Sequence, residues 1–237
     1  HGFEHNFTGL GTPIHNGTFI NNTRFLPSIG YNPQGELSDN ARRKKHGLGY
    51  RITSNPIDDT EAYQRNLFVR DADFITFDAT VSTVPDQTAL APGYLQREWT
   101  ENGRRYFHYK RDSKIINFYS FLSARYEVKK EKWHDVNLEI YYNKGHEYDL
   151  NRMFNGMKKA LTYYSANFTP YQHRQVRILE FPRYASFAQS FPNTIPFSVG
   201  IGFIADVDDS DKESIDYPCY VTSHEVAHQW FASQVIG

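Results

Sequence analysis

Two stretches of the chain alternate apolar and polar residues at every second position. Ile75, Phe77, Ala79 and Val81 alternate with Thr76, Asp78, Thr80 and Ser82, and Val136, Leu138, Ile140 and Tyr142 alternate with Asn137, Glu139 and Tyr141. A period of two sends successive side chains to opposite faces, so both stretches predict strands with one buried face. The aromatic-rich segment from Ile115 to Val128 predicts further strand between them, because aromatic and β-branched side chains suit a pleated surface. Upstream, residues 1 to about 70 are rich in Gly, Asn, Pro and Thr and lack a helical period, which predicts short strands joined by turns. Gly11-Thr12-Pro13, Asn16-Gly17 and Asn32-Pro33 are the expected turns.

The pattern changes at Asn143-Lys144-Gly145. Beyond it Leu150, Met153, Phe154, Met157, Leu161 and Tyr164 recur at steps of three and four, which predicts an amphipathic helix with Asp149 as its N-cap. A second helix is expected to start between Asp216 and Thr222. It would carry Val221, Val226, Ala227, Trp230, Phe231, Val235 and Ile236 on nearly all sides, the mark of a helix inside a core. The fold class expected is therefore α+β, with a β-rich N-terminal domain over residues 1–143 and a second domain over residues 144–237.

Composition narrows the function classes. With 26 basic and 27 acidic side chains interspersed, the net charge of -1 offers no field to hold a phosphate backbone, so nucleic acid is not an expected partner. Mean hydropathy is -0.65 and no run of apolar residues reaches the length of a membrane span. The first residues, His1 to Asn6, have neither the basic nor the apolar region of a signal peptide. One cysteine, Cys219, excludes an internal disulfide framework and any site built from several thiolates. The 17 Tyr and 18 Phe read as core filling before they read as a stacking platform. Asn6, Asn16, Asn21 and Asn167 each begin an Asn-x-Thr triplet, a short pattern that chance readily produces.

Chemistry concentrates in His224-Glu225-Val226-Ala227-His228. On a helix, residues four apart lie nearly above one another, so His224 and His228 can aim two imidazoles at one zinc ion about 2.0–2.1 Å from each. Glu225 then projects beside the metal without ligating it. Zinc lowers the pKa of a bound water to about 7, and a carboxylate within reach takes its proton during attack on a carbonyl. The bland alternatives are surface decoration at i and i+4, or a capping box between Thr222 and Glu225. The apolar surroundings favour the metal site, since unpaired ionisable groups are costly to bury.

The run His224-Glu225-Val226-Ala227-His228-Gln229-Trp230-Phe231 resembles the zinc helix of the aminopeptidase N family of gluzincin metallopeptidases, which reads H-E-x-x-H-Q-W-F. The resemblance implies an all-β N-terminal domain followed by the N-terminal part of a thermolysin-like α/β catalytic domain. It implies Zn2+ as cofactor, His224 and His228 as metal ligands, Glu225 as general base and peptides as substrates. It also puts the third zinc ligand, a Glu about nineteen residues after the second His, and a later Tyr, outside this chain, so that residues 1–237 alone are expected to bind zinc weakly and hydrolyse little. The segment Asn193 to Gly200 departs from the family, which carries Gly-x-Met-Glu-Asn about here. No acidic residue lies between Glu180 and Asp206, and with it goes the group that would bind a substrate's α-amino end. Pro196-Phe197-Ser198-Val199 is open to two readings, a peptide-pairing edge strand or an ordinary sheet strand. Ser190 to Phe197, with Tyr217-Pro218-Cys219-Tyr220, looks like peptidase domains fused to bacterial transporter-type membrane subunits. That implies an extracytoplasmic segment of a membrane protein, with the membrane part of the same polypeptide as a partner. A non-catalytic peptide-binding or structural module of such an assembly is the alternative function.

Weaker signals are read conservatively. Asp206, Asp208, Asp209, Asp211, Glu213 and Asp216 fail the spacing of an EF-hand and predict a solvated loop. Arg42-Arg43-Lys44-Lys45 predicts a solvated face. His46, His108, His134, His146 and His173 stand singly and are expected to be ordinary surface or core residues.

Overall fold

A computed structural model describes residues 11–27, 36–51, 56–61, 74–211 and 213–231. It is α+β with more strand than helix. The N-terminal part contains β1 (Thr18–Asn21), α1 (Asn22–Phe25), α2 (Asn40–Lys45), β2 (Phe74–Ile75), β3 (Asp78–Thr83), β4 (Thr88–Leu90), β5 (Tyr94–Glu101), β6 (Arg104–Lys110), β7 (Ile115–Ile116) and β8 (Ser120–Ala124). There follow β9 (Tyr126–Trp133), β10 (Val136–Asn143), α3 (Leu150–Asn167), β11 (Gln175–Phe181), β12 (Thr194–Ser198) and α4 (Tyr217–Ala227).

Among the described residues the first strands form antiparallel sheets ordered β1-β8-β4, β3-β6-β5 and β2-β7. The predicted alternation from Ile75 survives, with Phe77 buried and Phe74, Thr76 and Asp78 exposed, but the strand breaks at Thr76–Phe77. There the Phe77 carbonyl accepts from the Arg111 backbone N–H instead of continuing one ladder. The early region is less uniformly β than its composition suggests, since α1 and α2 lie within it. Asn32-Pro33 falls outside the described residues. Arg43 is not the solvated charge expected: it is 7% exposed and donates to Glu36, Leu37 O and Gly49 O, folding the α2 region around its guanidinium.

The sheet that positions the site is ordered β12-β11-β10-β9, with β10, β11 and β12 parallel and β9 antiparallel at one side. It draws strands from both sides of residue 143. One face packs on α3 and α4, where Leu138, Ile140, Val176 and Ile178 meet Met153, Phe154, Met157, Leu161 and Val226. The other face packs on the N-terminal sheets, where Leu179 and Phe181 join Phe19, Phe107, Tyr109 and Leu122. A strand covered on both faces loses the simple alternation. Glu139, expected to face solvent, is therefore 7% exposed, and its carboxylate accepts from the Tyr141 hydroxyl and Gln175 Nε2.

α3 begins after Asp149 as the periodicity indicates and buries Leu150, Met153, Phe154, Met157 and Leu161. The Asp149 side chain, however, makes no capping bond; Arg152 draws one oxygen to 3.4 Å. The same Arg152 reaches Asp209 at 2.5 Å and Asp216 at 3.0 Å. The acidic loop is exposed as expected, yet it is pinned to α3 rather than simply solvated.

Candidate metal centre

The local sequence dictates where α4 begins. Asp216 is the N-cap and accepts from the Cys219 N–H at 3.1 Å, while Pro218 sits in the first turn, where a missing N–H costs nothing. Thr222 lies inside the helix and its hydroxyl has no partner, which excludes the capping box with Glu225. Gly156 lets α3 approach: a Cβ there would lie 2.8 Å from the Cys219 carbonyl and 3.1 Å from Thr222 Cβ.

The helix stops earlier than predicted. Ala227 is its last residue, His228 is the C-cap, and the next N–H groups bond three residues back, Gln229 to Val226 O and Trp230 to Ala227 O. Trp230 is buried at 1% exposure, whereas Phe231 is 38% exposed; Val235 and Ile236 lie outside the described residues.

The structure brings the three motif residues together. The His224 and His228 rings lie 4.9 Å apart between centroids and nearly perpendicular, at 88°. His224 is exposed and His228 half-buried. His228 Nδ1 is 3.4 Å from the Phe231 carbonyl. A carbonyl can only accept, so this contact puts the proton on Nδ1 and makes Nε2 the lone-pair nitrogen. Burial pulls the His228 pKa down, the Phe231 contact raises it, and His224 lowers it further. The neutral, ligating form is the favoured one.

Glu225 is 6% exposed and its Oε2 has no hydrogen-bond partner among the described residues. Burial pushes its carboxyl up to about 7, against the lowering effect of the Ser190 backbone N–H. A carboxylate in that range suits proton transfer at neutral pH. An orphaned buried carboxylate oxygen beside two imidazoles on one helix turn fits a zinc centre of the H-E-x-x-H kind. Among the described residues no group of three or more His, Cys, Asp or Glu is arranged to hold a metal.

The sheet edge next to Glu225 differs from expectation. β12 is not the edge: residues 187–191 pair with it antiparallel in one constant register, Phe191 with Thr194, Gln189 with Pro196 and Phe187 with Ser198. Pro192 and Asn193 make the two-residue turn, with Asn193 at φ 55°. The Pro-Asn pair was the available signal, since Asn tolerates a left-handed backbone in a turn. The outer edge thus belongs to Phe187–Phe191, and in that register Ala188 and Ser190 direct backbone groups away from β12.

Sequence reasoning did not single out two further polar groups. Gln229 is fully buried and bonds to the turn before β12. Glu180, the last acid before Asp206, is 1% exposed and accepts from Asn143 N, Asn143 Nδ2 and His146 Nδ1 at 2.7–2.9 Å. Its carboxylate is committed to the start of the α3 connection. No protein-family model matches the chain, and no curated protein matches it.

Proposed function

We propose that the chain belongs to a zinc-dependent metallopeptidase that hydrolyses peptide bonds, with His224 and His228 as metal ligands and Glu225 as general base. One observation carries this reading: two perpendicular imidazoles one helical turn apart, with the buried carboxylate of Glu225 on the same turn, one of its oxygens without a partner among the described residues. A zinc ion held there would act as a Lewis acid on a carbonyl and make water acidic enough to attack it. Everything else falls to the protein. Glu225 takes a proton at its free oxygen and can return it to the leaving amine. The edge of Phe187–Phe191 offers outward backbone groups to an extended peptide, fixing its direction beside that carboxylate. The burial around Glu225 limits water at the reacting position.

In this proposal residues 1–143 are a β-rich N-terminal domain and residues 144–237 the N-terminal part of a thermolysin-like domain, with the shared sheet joining them. The third ligand, a Glu, and a Tyr that stabilises the tetrahedral intermediate lie beyond Gly237. The placement is extracytoplasmic, as a segment of a membrane protein; no helix among the described residues is long and apolar enough to cross a membrane.

A second reading, a peptide-binding module without catalysis, is favoured by one observation: the edge carries no acid for an α-amino group, and Glu180 is already occupied. Zinc content after dialysis decides between them. In a chain extended through the expected Glu, one zinc per molecule is the expected result, with little in residues 1–237 alone. Glu225→Gln in the longer chain should keep that zinc and lose hydrolysis of a peptide substrate by several orders of magnitude. Retained turnover would sink the role given to Glu225, and absence of zinc in both chains gives the module reading the lead.

A further inference from the structure

His228 stands at the end of α4. It is the C-cap, beyond which the N–H groups of Gln229 and Trp230 bond three residues back while the Phe231 N–H still reaches the Ala227 carbonyl, and helix ends fray. A metal ligand there needs support from outside the helix. The following two residues supply it. Gln229 is 0% exposed: its Nε2 donates to Ser190 Oγ and to the Phe191 carbonyl at 2.9 Å, and its Oε1 accepts from the Asn193 N–H at 2.8 Å. Its own carbonyl accepts from Gln172 Nε2 at 3.0 Å. Trp230 donates from Nε1 to the Thr169 carbonyl at 2.8 Å and packs its ring on Tyr164 and Tyr171.

These bonds have one direction in common. Each of the three side-chain bonds of Gln229 ends on the Ser190–Asn193 corner, where the edge segment turns into β12. That same corner carries the Ser190 N–H that faces Glu225. One buried amide therefore ties the turn holding the second imidazole to the segment along which a peptide would lie. It also satisfies the N–H of Asn193, the residue in the left-handed conformation. A buried side chain that saturates three separate groups is costly to alter by a single atom, since each unmet partner loses its hydrogen bond without regaining water.

We infer that Gln229 is a positioning residue: it holds His228 in its ligating orientation and sets the spacing between the metal centre and the Phe187–Phe191 edge. The inference rests on the reading of His224 and His228 as metal ligands. Loss of a supporting partner of this kind lowers metal affinity on the order of 10–100-fold. Gln229→Ala removes all three bonds. Gln229→Glu keeps the acceptor for Asn193 but no longer donates to the Phe191 carbonyl.

The test uses the chain extended through the expected Glu, wild type and both variants, with two readouts: calorimetric titration with zinc alone, and amide hydrogen exchange at Asn193. Expected are about tenfold weaker zinc binding in Gln229→Ala, faster exchange at Asn193 in the same variant, and near wild-type exchange with a smaller affinity loss in Gln229→Glu. Unchanged Asn193 exchange in Gln229→Ala overturns the link to the corner. Faster exchange with undiminished zinc affinity overturns the positioning role and leaves only a structural one. If Gln229→Ala does not fold, Gln229→Glu decides alone, and affinity equal to wild type overturns the inference. Wild-type protein that takes up no zinc in either length of chain removes the metal reading itself, an outcome the exchange data keep distinct from failure of the link.

Discussion

Arg111 and His173 are each 6% exposed and meet directly, Arg111 Nη2 donating to His173 Nδ1 at 2.8 Å. Among the described residues neither forms an ion pair, and His173 Nε2 has no partner. Burial, and then the neighbouring guanidinium, hold the imidazole well below its ordinary pKa of 6.5. The unfolded chain binds this proton near 6.5 and the folded chain only at lower pH. The stability tied to neutral His173 is thus complete above 6.5 and is lost as pH falls from there towards the folded value. The slope is at most about 1.4 kcal/mol per pH unit for one proton. Urea titrations at pH 7 and pH 5 should show wild type losing more stability than His173→Gln, whose amide oxygen still accepts from Arg111. Equal losses would show that His173 titrates elsewhere. This residue illustrates what was legible at this scale. His224, Glu225 and His228 stand out as candidates because a metal centre of the proposed kind would fix residue type and spacing together. A lone His or Arg carries no spacing: the burial of His173 depends on Arg111, distant in the chain, and that of Arg43 on a local fold-back onto Glu36, Leu37 and Gly49.

Elements were legible where a period was long enough to mark a face. α3 follows its stripe, and β3 and β10 show their inward sets. What the pattern missed are features set by neighbours: the polar face of β10 is covered because β10 is central, and β12, last in the strand order, is paired on its outer side because residues 187–191 fold back on it. The end of α4 was misplaced because Trp230 and Phe231 continue the apolar run, whereas the helix ends at Ala227 and the N–H groups of Gln229 and Trp230 bond three residues back. The crossing of α3 and α4 gives a direct test. Gly156→Ala gains up to about 1 kcal/mol in helix propensity, but its Cβ would lie 2.8 Å from the Cys219 backbone carbonyl, which cannot swing away as a side chain can. Overpacking of this kind costs about 1–3 kcal/mol. Net destabilisation in urea, with faster exchange in the first turns of α4, is the expected outcome; a stabilised variant would show that the helices separate freely. Arg152→Met should likewise speed exchange in the acidic loop up to Asp216 while leaving α3 protected, since it removes the three contacts to Asp149, Asp209 and Asp216.

At the scale of the molecule, the four-stranded sheet is the shared wall of two cores. Arg177 shows how closely they are joined. On β11, at 1% exposure, it donates to the Ala91 carbonyl at 2.7 Å and to Thr194 Oγ1 at 3.0 Å, with Tyr109 packed against its guanidinium. Removal of so buried a group leaves unmet partners and a void, at a cost of about 3 kcal/mol or more. Arg177→Ala should therefore lower the denaturation midpoint seen by far-ultraviolet and near-ultraviolet signals together; separate transitions would show that the cores unfold independently. The α+β class was readable from the change of period near Gly145. The sharing of one sheet across that point was not, because a strand's partners are not written in its own alternation.

The exposure of His224 and the terminal position of His228 bear on the order of events in maturation. Among the described residues the helices and sheets are held by two clusters of apolar side chains, whereas the fold of a small zinc finger waits for its ion. A metal would then load after folding, onto a finished surface, and leave again without disturbing the interior. Prolonged dialysis against a chelator should leave the far-ultraviolet spectrum unchanged, and the ion's contribution to stability should be that of a late ligand, growing with its free concentration.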